Sequence, residues 1–121
     1  MLVLTKIVSD KIISDMNNVA YVGLGYNGAE KAGSGYARVS VPSGLFVFDS
    51  EDVSYYYYKN SSQISFPSAT DNWGSINEIY FFDSPGNKLY TFTMDSALSI
   101  IKGVTFVINS GGLVLKVNKQ S

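Results

Sequence analysis

The chain has 121 residues, 16% of them charged, a formal net charge of -1, and neither cysteine nor histidine. That length fits one domain, 1–121, with a single two-layer core. A near-neutral surface offers no attraction for a polyanion, which argues against nucleic-acid binding, and the missing residue types exclude disulfides, a Ser-His-Asp triad, cysteine nucleophiles and the usual zinc sites. Any active site would have to use carboxylates, lysine, tyrosine or serine. Nine tyrosines, seven phenylalanines and eleven glycines suit a β-rich fold, with aromatics on pleated faces and glycines in turns. Met1 to Lys6 lacks a basic region before an uninterrupted apolar run, and no apolar stretch nears the ~20 residues of a membrane span. Neither a secretion signal nor a membrane partner is expected.

Leu4, Val8, Ile12 and Met16 recur at every fourth position, flanked by Ile7 and Ile13. The spacing predicts an amphipathic helix over Leu4 to Met16. It either packs on the sheet or, within a 1–18 arm, docks on a neighbouring subunit. Ala20 to Tyr26 alternates as a strand. Gly23-Leu24-Gly25-Tyr26-Asn27-Gly28 formally matches the dinucleotide fingerprint G-x-G-x-x-G. The Gly-interrupted stretch after it is too short for the crossover helix that fingerprint needs, so Asn27-Gly28 reads as a turn and no cofactor is expected.

Tyr36 to Val41 is the next expected strand, stopped by Pro42, followed by Leu45 to Phe48. Asp49, Glu51 and Asp52 could together attract calcium, yet they lack an EF-hand's ligand pattern and read as a solvated turn, so no metal site is expected. Val53 to Tyr58 puts tyrosines on both faces of a strand. One pair packs inward and the other lies on a surface, which makes Tyr55 and Tyr57 candidate surface contacts; cross-strand packing within one sheet explains them equally well.

Ile64 and Phe66 form a brief strand, and Pro67 opens a loop to Trp73-Gly74. Trp73 is a third candidate surface contact, or else the anchor of that loop over the core. Ser75 to Phe82 is expected to carry Ile76, Glu78, Tyr80 and Phe82 on one face and Asn77, Ile79 and Phe81 on the other. Pro85-Gly86 suits the centre of a type II turn, and Leu89 to Met94 returns with Tyr90, Phe92 and Met94 together. Ala97 to Ile101 leads to Lys102-Gly103. Val104 to Ile108 and Leu113 to Val117 flank Asn109-Ser110-Gly111-Gly112, predicting a last hairpin that closes the sheet. Arg38, the single arginine, is expected to pair with Asp83 or Glu78.

The strand Tyr21 to Tyr26, the Gly35-Tyr36-Ala37-Arg38 motif, Ile64 to Thr70 running to Trp73-Gly74 and Phe82-Asp83, and the Gly111 to Leu115 turn-strand follow one another in an order that carries a resemblance. The chain resembles a family of small bacteriophage virion proteins labelled tail-fibre or minor structural proteins, head-fibre and decoration proteins among them. Two departures fall at turn and strand edges: Pro85-Gly86-Asn87 after Asp83, and Val104 after Gly103.

The expected fold is all-β, a single β-sandwich or jelly-roll-like domain with one N-terminal amphipathic helix. The resemblance implies a non-enzymatic structural component on the capsid or tail exterior of a virion, assembled in the host cytoplasm. Its partners would be itself, as a homo-oligomer and specifically a trimer, and other virion proteins. A carbohydrate- or host-receptor-binding module is the alternative, resting on the tyrosines and Trp73. A glycan-cleaving enzyme would need two converging carboxylates, and Asp49, Asp71, Glu78 and Asp83 are scattered.

Overall fold

The computed structural model describes residues 4–8, 16, 18–33 and 35–119. Along them run β1 (Leu4–Val8), β2 (Tyr21–Tyr26), β3 (Ala29–Glu30), β4 (Val39–Ser40), β5 (Phe46–Glu51), β6 (Tyr55–Asn60), β7 (Ile64–Ser65), β8 (Gly74–Phe82), β9 (Lys88–Ile100), β10 (Val107–Ile108) and β11 (Leu113–Asn118). One sheet has the order β1-β11-β6-β5. The other runs β3-β2-β8-β9, with β4 sharing the β2 edge that β3 occupies; β7 and β10 form a two-stranded ribbon. Val22, Leu24, Ile79, Phe81 and Phe92 of one sheet meet Phe46, Leu113, Leu115 and Val117 of the other in one apolar cluster. Phe46 and Phe81 touch across it with ring centroids 5.6 Å apart. The all-β, sandwich-like architecture follows from this two-faced burial.

The N-terminal expectation is corrected where it can be compared. Leu4–Val8 is a strand, paired in parallel with β11 from Leu4 opposite Leu113 to Val8 opposite Val117. The fourth-residue spacing concealed a second pattern: Leu4, Lys6 and Val8 alternate with Thr5 and Ile7, and three of these five are β-branched, which favours the pleat once a partner strand supplies hydrogen bonds. The remainder of the expected helix, residues 9–15, lies outside the described residues. Met16 and Val19 are core residues.

In β8 the expected faces are re-phased. The pairing with β9 shifts register between Ile76 and Glu78, where Asn77 alone stands against residues 94–97 of β9, and across this irregularity Ile76 joins Ile79 and Phe81 in the core while Glu78, Tyr80 and Phe82 take the opposite face. Asn77 also clamps the β2-β3 turn: its Oδ1 accepts the Asn27 N–H at 3.0 Å, and its Nδ2 donates to Asn27 Oδ1 at 2.9 Å. At that turn Asn27 and Gly28 both have positive φ, 48° and 91°. Tyr26 pairs with Ala29 across it, which is the two-residue hairpin Asn-Gly specifies. Leu89 to Met94 belongs to a longer strand, β9, that runs on to Ile100, with Phe92 and Met94 buried as the alternation requires.

Two turns differ from expectation. The Gly86 N–H donates to the Asp83 carbonyl at 3.0 Å, so Ser84-Pro85, not Pro85-Gly86, occupy the centre. Asp83 Oδ1 holds that geometry by accepting the Gly86 and Asn87 N–H groups at 3.0 and 2.7 Å. Nor is there a closing hairpin at 109–112. β10 pairs with β7, and β11 pairs with β1 and β6, so this turn carries the chain from the ribbon into a main sheet.

Candidate binding surface

The β5-β6 turn is organised by Asp52. Its Oδ1 accepts the N–H groups of Ser54 and Tyr55, both at 2.8 Å, and its Oδ2 accepts a short hydrogen bond from the Tyr57 hydroxyl. Such side-chain-to-backbone bonding is the reason aspartate recurs in turns. The Tyr57 hydroxyl first, then the two backbone N–H groups, hold the Asp52 carboxyl below the usual carboxylate range, and the same bond raises the Tyr57 phenol.

Strand alternation then sends Tyr55 and Tyr57 to the outward face, with ring centroids 6.3 Å apart. Lys116, opposite Tyr57 on β11, places its Nζ 4.4 Å from the Tyr55 centroid and 5.6 Å from that of Tyr57. Beside them Lys59 meets Asp49 at 2.9 Å, which lowers the Asp49 carboxyl. Lys119 meets Glu51 at 2.5 Å, is raised by that contact, and lies 4.9 Å from the Tyr56 centroid. Asp49, Glu51 and Asp52 therefore turn to three different partners. Among the described residues no three metal-ligating side chains converge.

Of the three aromatic candidates, Tyr55 and Tyr57 share this half-buried surface. Trp73 does not join them. It is 5% exposed within the core cluster and meets Tyr36 edge-on with centroids 5.4 Å apart. Its backbone N–H donates to the Ile100 carbonyl at 2.8 Å. The four scattered carboxylates also stay apart in chemistry. Asp49 bonds Lys59 and Ser50, Asp71 bonds the Asn72 N–H, Glu78 bonds Gly28 and Tyr80, and Asp83 caps its own turn.

A second polar-aromatic cluster covers the outer face of the β3-β2-β8-β9 sheet. Between β3 and β4 in the chain, Tyr36 binds at β2: its hydroxyl accepts the Leu24 N–H at 2.9 Å and donates to Glu30 at 2.7 Å. Arg38 pairs with Glu30 through two nitrogens, not with Asp83 or Glu78 as the sequence suggests, and its guanidinium lies 3.6 Å from the Phe82 centroid. Burial works against the Glu30 charge, but the hydrogen bonds from Arg38 and Tyr36 prevail and keep its carboxyl below the usual range. Burial, aided by Glu30, pushes the Tyr36 phenol well up. Lys88 caps Tyr80 at 3.8 Å, while the Tyr80 hydroxyl donates to Glu78 at 2.7 Å.

The sequence held a sign of this cluster in Gly23 and Gly25, two glycines on one strand face that leave room for rings from the next strand. A Cβ on Gly25 would clash with the Tyr80 phenol, 2.2 Å from its hydroxyl oxygen, and one on Gly23 would lie 2.9 Å from Phe82, Tyr36 and Glu30 atoms. Gly25→Ala is expected to destabilise the fold by about 1–3 kcal/mol through this overpacking, measured by urea denaturation. Wild-type stability in the variant would refute the close approach.

Comparison with models of known protein families matches residues 22–116 to the family described as Podophage GP4 fiber I protein gp80, well over half of the chain. The chain belongs to the podophage GP4 fiber I protein gp80 family. The matched span runs from β2 into β11, so the gp80 family region includes both aromatic surfaces described above. Comparison with curated proteins and with solved structures finds no match.

Proposed function

We propose that this chain is a non-catalytic structural component of a bacteriophage particle, an exterior fibre protein that acts by assembling as a homo-oligomer, specifically a trimer, after synthesis in the host cytoplasm. The gp80 family match over 22–116 carries this reading. The pairing of Asp49, Glu51 and Asp52 with Lys59, Lys119 and Tyr57 agrees with it, since those acids serve the fold. The test is antibody labelling of intact particles under the electron microscope, with the mass of the purified protein measured by light scattering. Label on the tail and a trimeric mass are expected. Label on the head would make it a decoration or head-fibre protein, and absence from particles would overturn the reading.

A second reading, a carbohydrate- or host-receptor-binding module, rests on Tyr55 and Tyr57 standing side by side on an outward face with Lys116 over them. Adjacent tyrosine rings offer apolar faces on which sugar rings stack, with nearby polar groups to fix orientation. Binding on a glycan array that Tyr55→Ala removes would support it. An array without signal would discard it.

A further inference from the structure

Seven large apolar side chains are exposed among the described residues, and four of them sit on the β5-β6 hairpin: Val47 (38%), Phe48 (52%), Val53 (92%) and Tyr56 (38%). Phe48 lies on the core side of its sheet, opposite Tyr58, with its centroid 5.9 Å from that of Tyr58 and 6.4 Å from that of Tyr56. The inward face of this sheet therefore continues beyond the core as an aromatic shelf. β5 is also the last strand of its sheet and pairs only with β6 among the described residues. Its outer row of backbone N–H and C=O groups is available to another strand.

The chemistry of the shelf selects its occupant. A sugar needs polar groups beside the ring face; apart from the Tyr56 and Tyr58 hydroxyls the shelf has none, since Phe48 and Val53 are wholly apolar. The neighbouring carboxylates are already engaged, Asp49 by Lys59, Glu51 by Lys119 and Asp52 by Tyr57. An apolar edge strand with free backbone groups fits a protein strand. Because those acids are compensated within the chain, an identical hairpin brought alongside meets little like-charge repulsion.

We infer that the β5 edge, with Phe48, Val53 and Tyr56, is the surface through which one copy of this chain binds another. The inference rests on the oligomeric reading above and locates its contact. Light scattering and circular dichroism on the full chain test it, using Phe48→Arg and, as a control at an exposed site on β9, Leu98→Arg. The wild type and the Leu98 variant should keep the oligomeric mass. The Phe48 variant should keep its β spectrum yet shift to monomer, with association at least ~10-fold weaker. An oligomeric Phe48 variant, or dissociation only in the Leu98 variant, would overturn the location and leave the oligomeric reading standing. A wild type monomeric at every concentration would overturn both. If such a monomer were still found in particles, the hairpin would belong to a different virion protein; glycan binding lost with Phe48→Arg would assign it to a sugar. Both results reject the self-contact.

Discussion

Trp73→Ala should cost about 3–5 kcal/mol of unfolding free energy, the range for truncating a large buried aromatic. Trp73 is 5% exposed, packs in the main cluster and meets Tyr36 edge-on, so the alanine leaves a void that the neighbouring sheet cannot fill without moving Tyr36. That ring is itself held by the Leu24 N–H and Glu30, so loss at Trp73 should propagate to the β2 edge. Small domains have only about 5–15 kcal/mol in total, and thermal unfolding followed by circular dichroism should show a markedly lower midpoint. A midpoint within a degree or two of wild type would contradict the burial. The variant consequently serves as a probe of the fold and not of ligand binding: any loss of adsorption it caused would follow from unfolding. Tyr55→Ala, on the half-buried outward face, is the substitution that separates the two effects.

How far the fold could be read in advance depended on whether each pattern was local. The turn Asn27-Gly28 and the burial of Phe92 and Met94 follow from two-residue alternation and turn chemistry, and both stand in the structure. Leu4–Val8 failed because five residues fit two periods at once, and the deciding partner, β11, lies more than a hundred positions away. The faces of β8 failed at one residue. The irregular pairing there, one residue of β8 against four of β9, leaves no periodic trace beforehand, yet it reverses which side of the sheet Ile76 meets. Alternation put Tyr55 and Tyr57 on one face, and only the pairing with β11 shows that face to be the outward one. The partners of the acids could not be read, since Lys59 reaches Asp49 only across the β5-β6 pairing and Lys119 reaches Glu51 only once β11 lies beside β6. Trp73 shows the limit from the other side: rarity and a flanking glycine suit an exposed tip and a buried anchor alike, and only the three-dimensional neighbours decide.

The last hairpin failed for a reason that leads to the second large effect. Asn109 to Gly112 has the residues of a tight hairpin, but the turn is held from outside by Asn60, the one buried polar or charged residue among the described residues, at 0% exposure. Its Nδ2 donates to the carbonyls of Ser62 at 2.9 Å and Asn109 at 3.0 Å, and its Oδ1 accepts the buried Leu113 N–H at 2.9 Å. Its own backbone carbonyl accepts the Gly111 N–H at 2.9 Å. One side chain thus joins the end of β6, the turn after it and the start of β11. Asn60→Ala strands the Leu113 N–H in the core and removes two further bonds, and about 2–4 kcal/mol should be lost. Asn60→Asp tests the geometry more sharply. It keeps an acceptor for Leu113 but turns a carboxylate toward two carbonyl oxygens, so burial and repulsion raise its folded-state pKa above the unfolded value. A raised pKa means the folded state binds the extra proton, so stability gained by protonation is present at low pH and lost as pH rises through the folded pKa. Relative to wild type, the aspartate variant should be strongly destabilised at neutral pH and recover on acidification, while the alanine variant's deficit stays constant. Urea titrations of both variants between neutral and mildly acidic pH would show it. Parallel losses across that range would mean that the Asn60 amide does not face those two carbonyls.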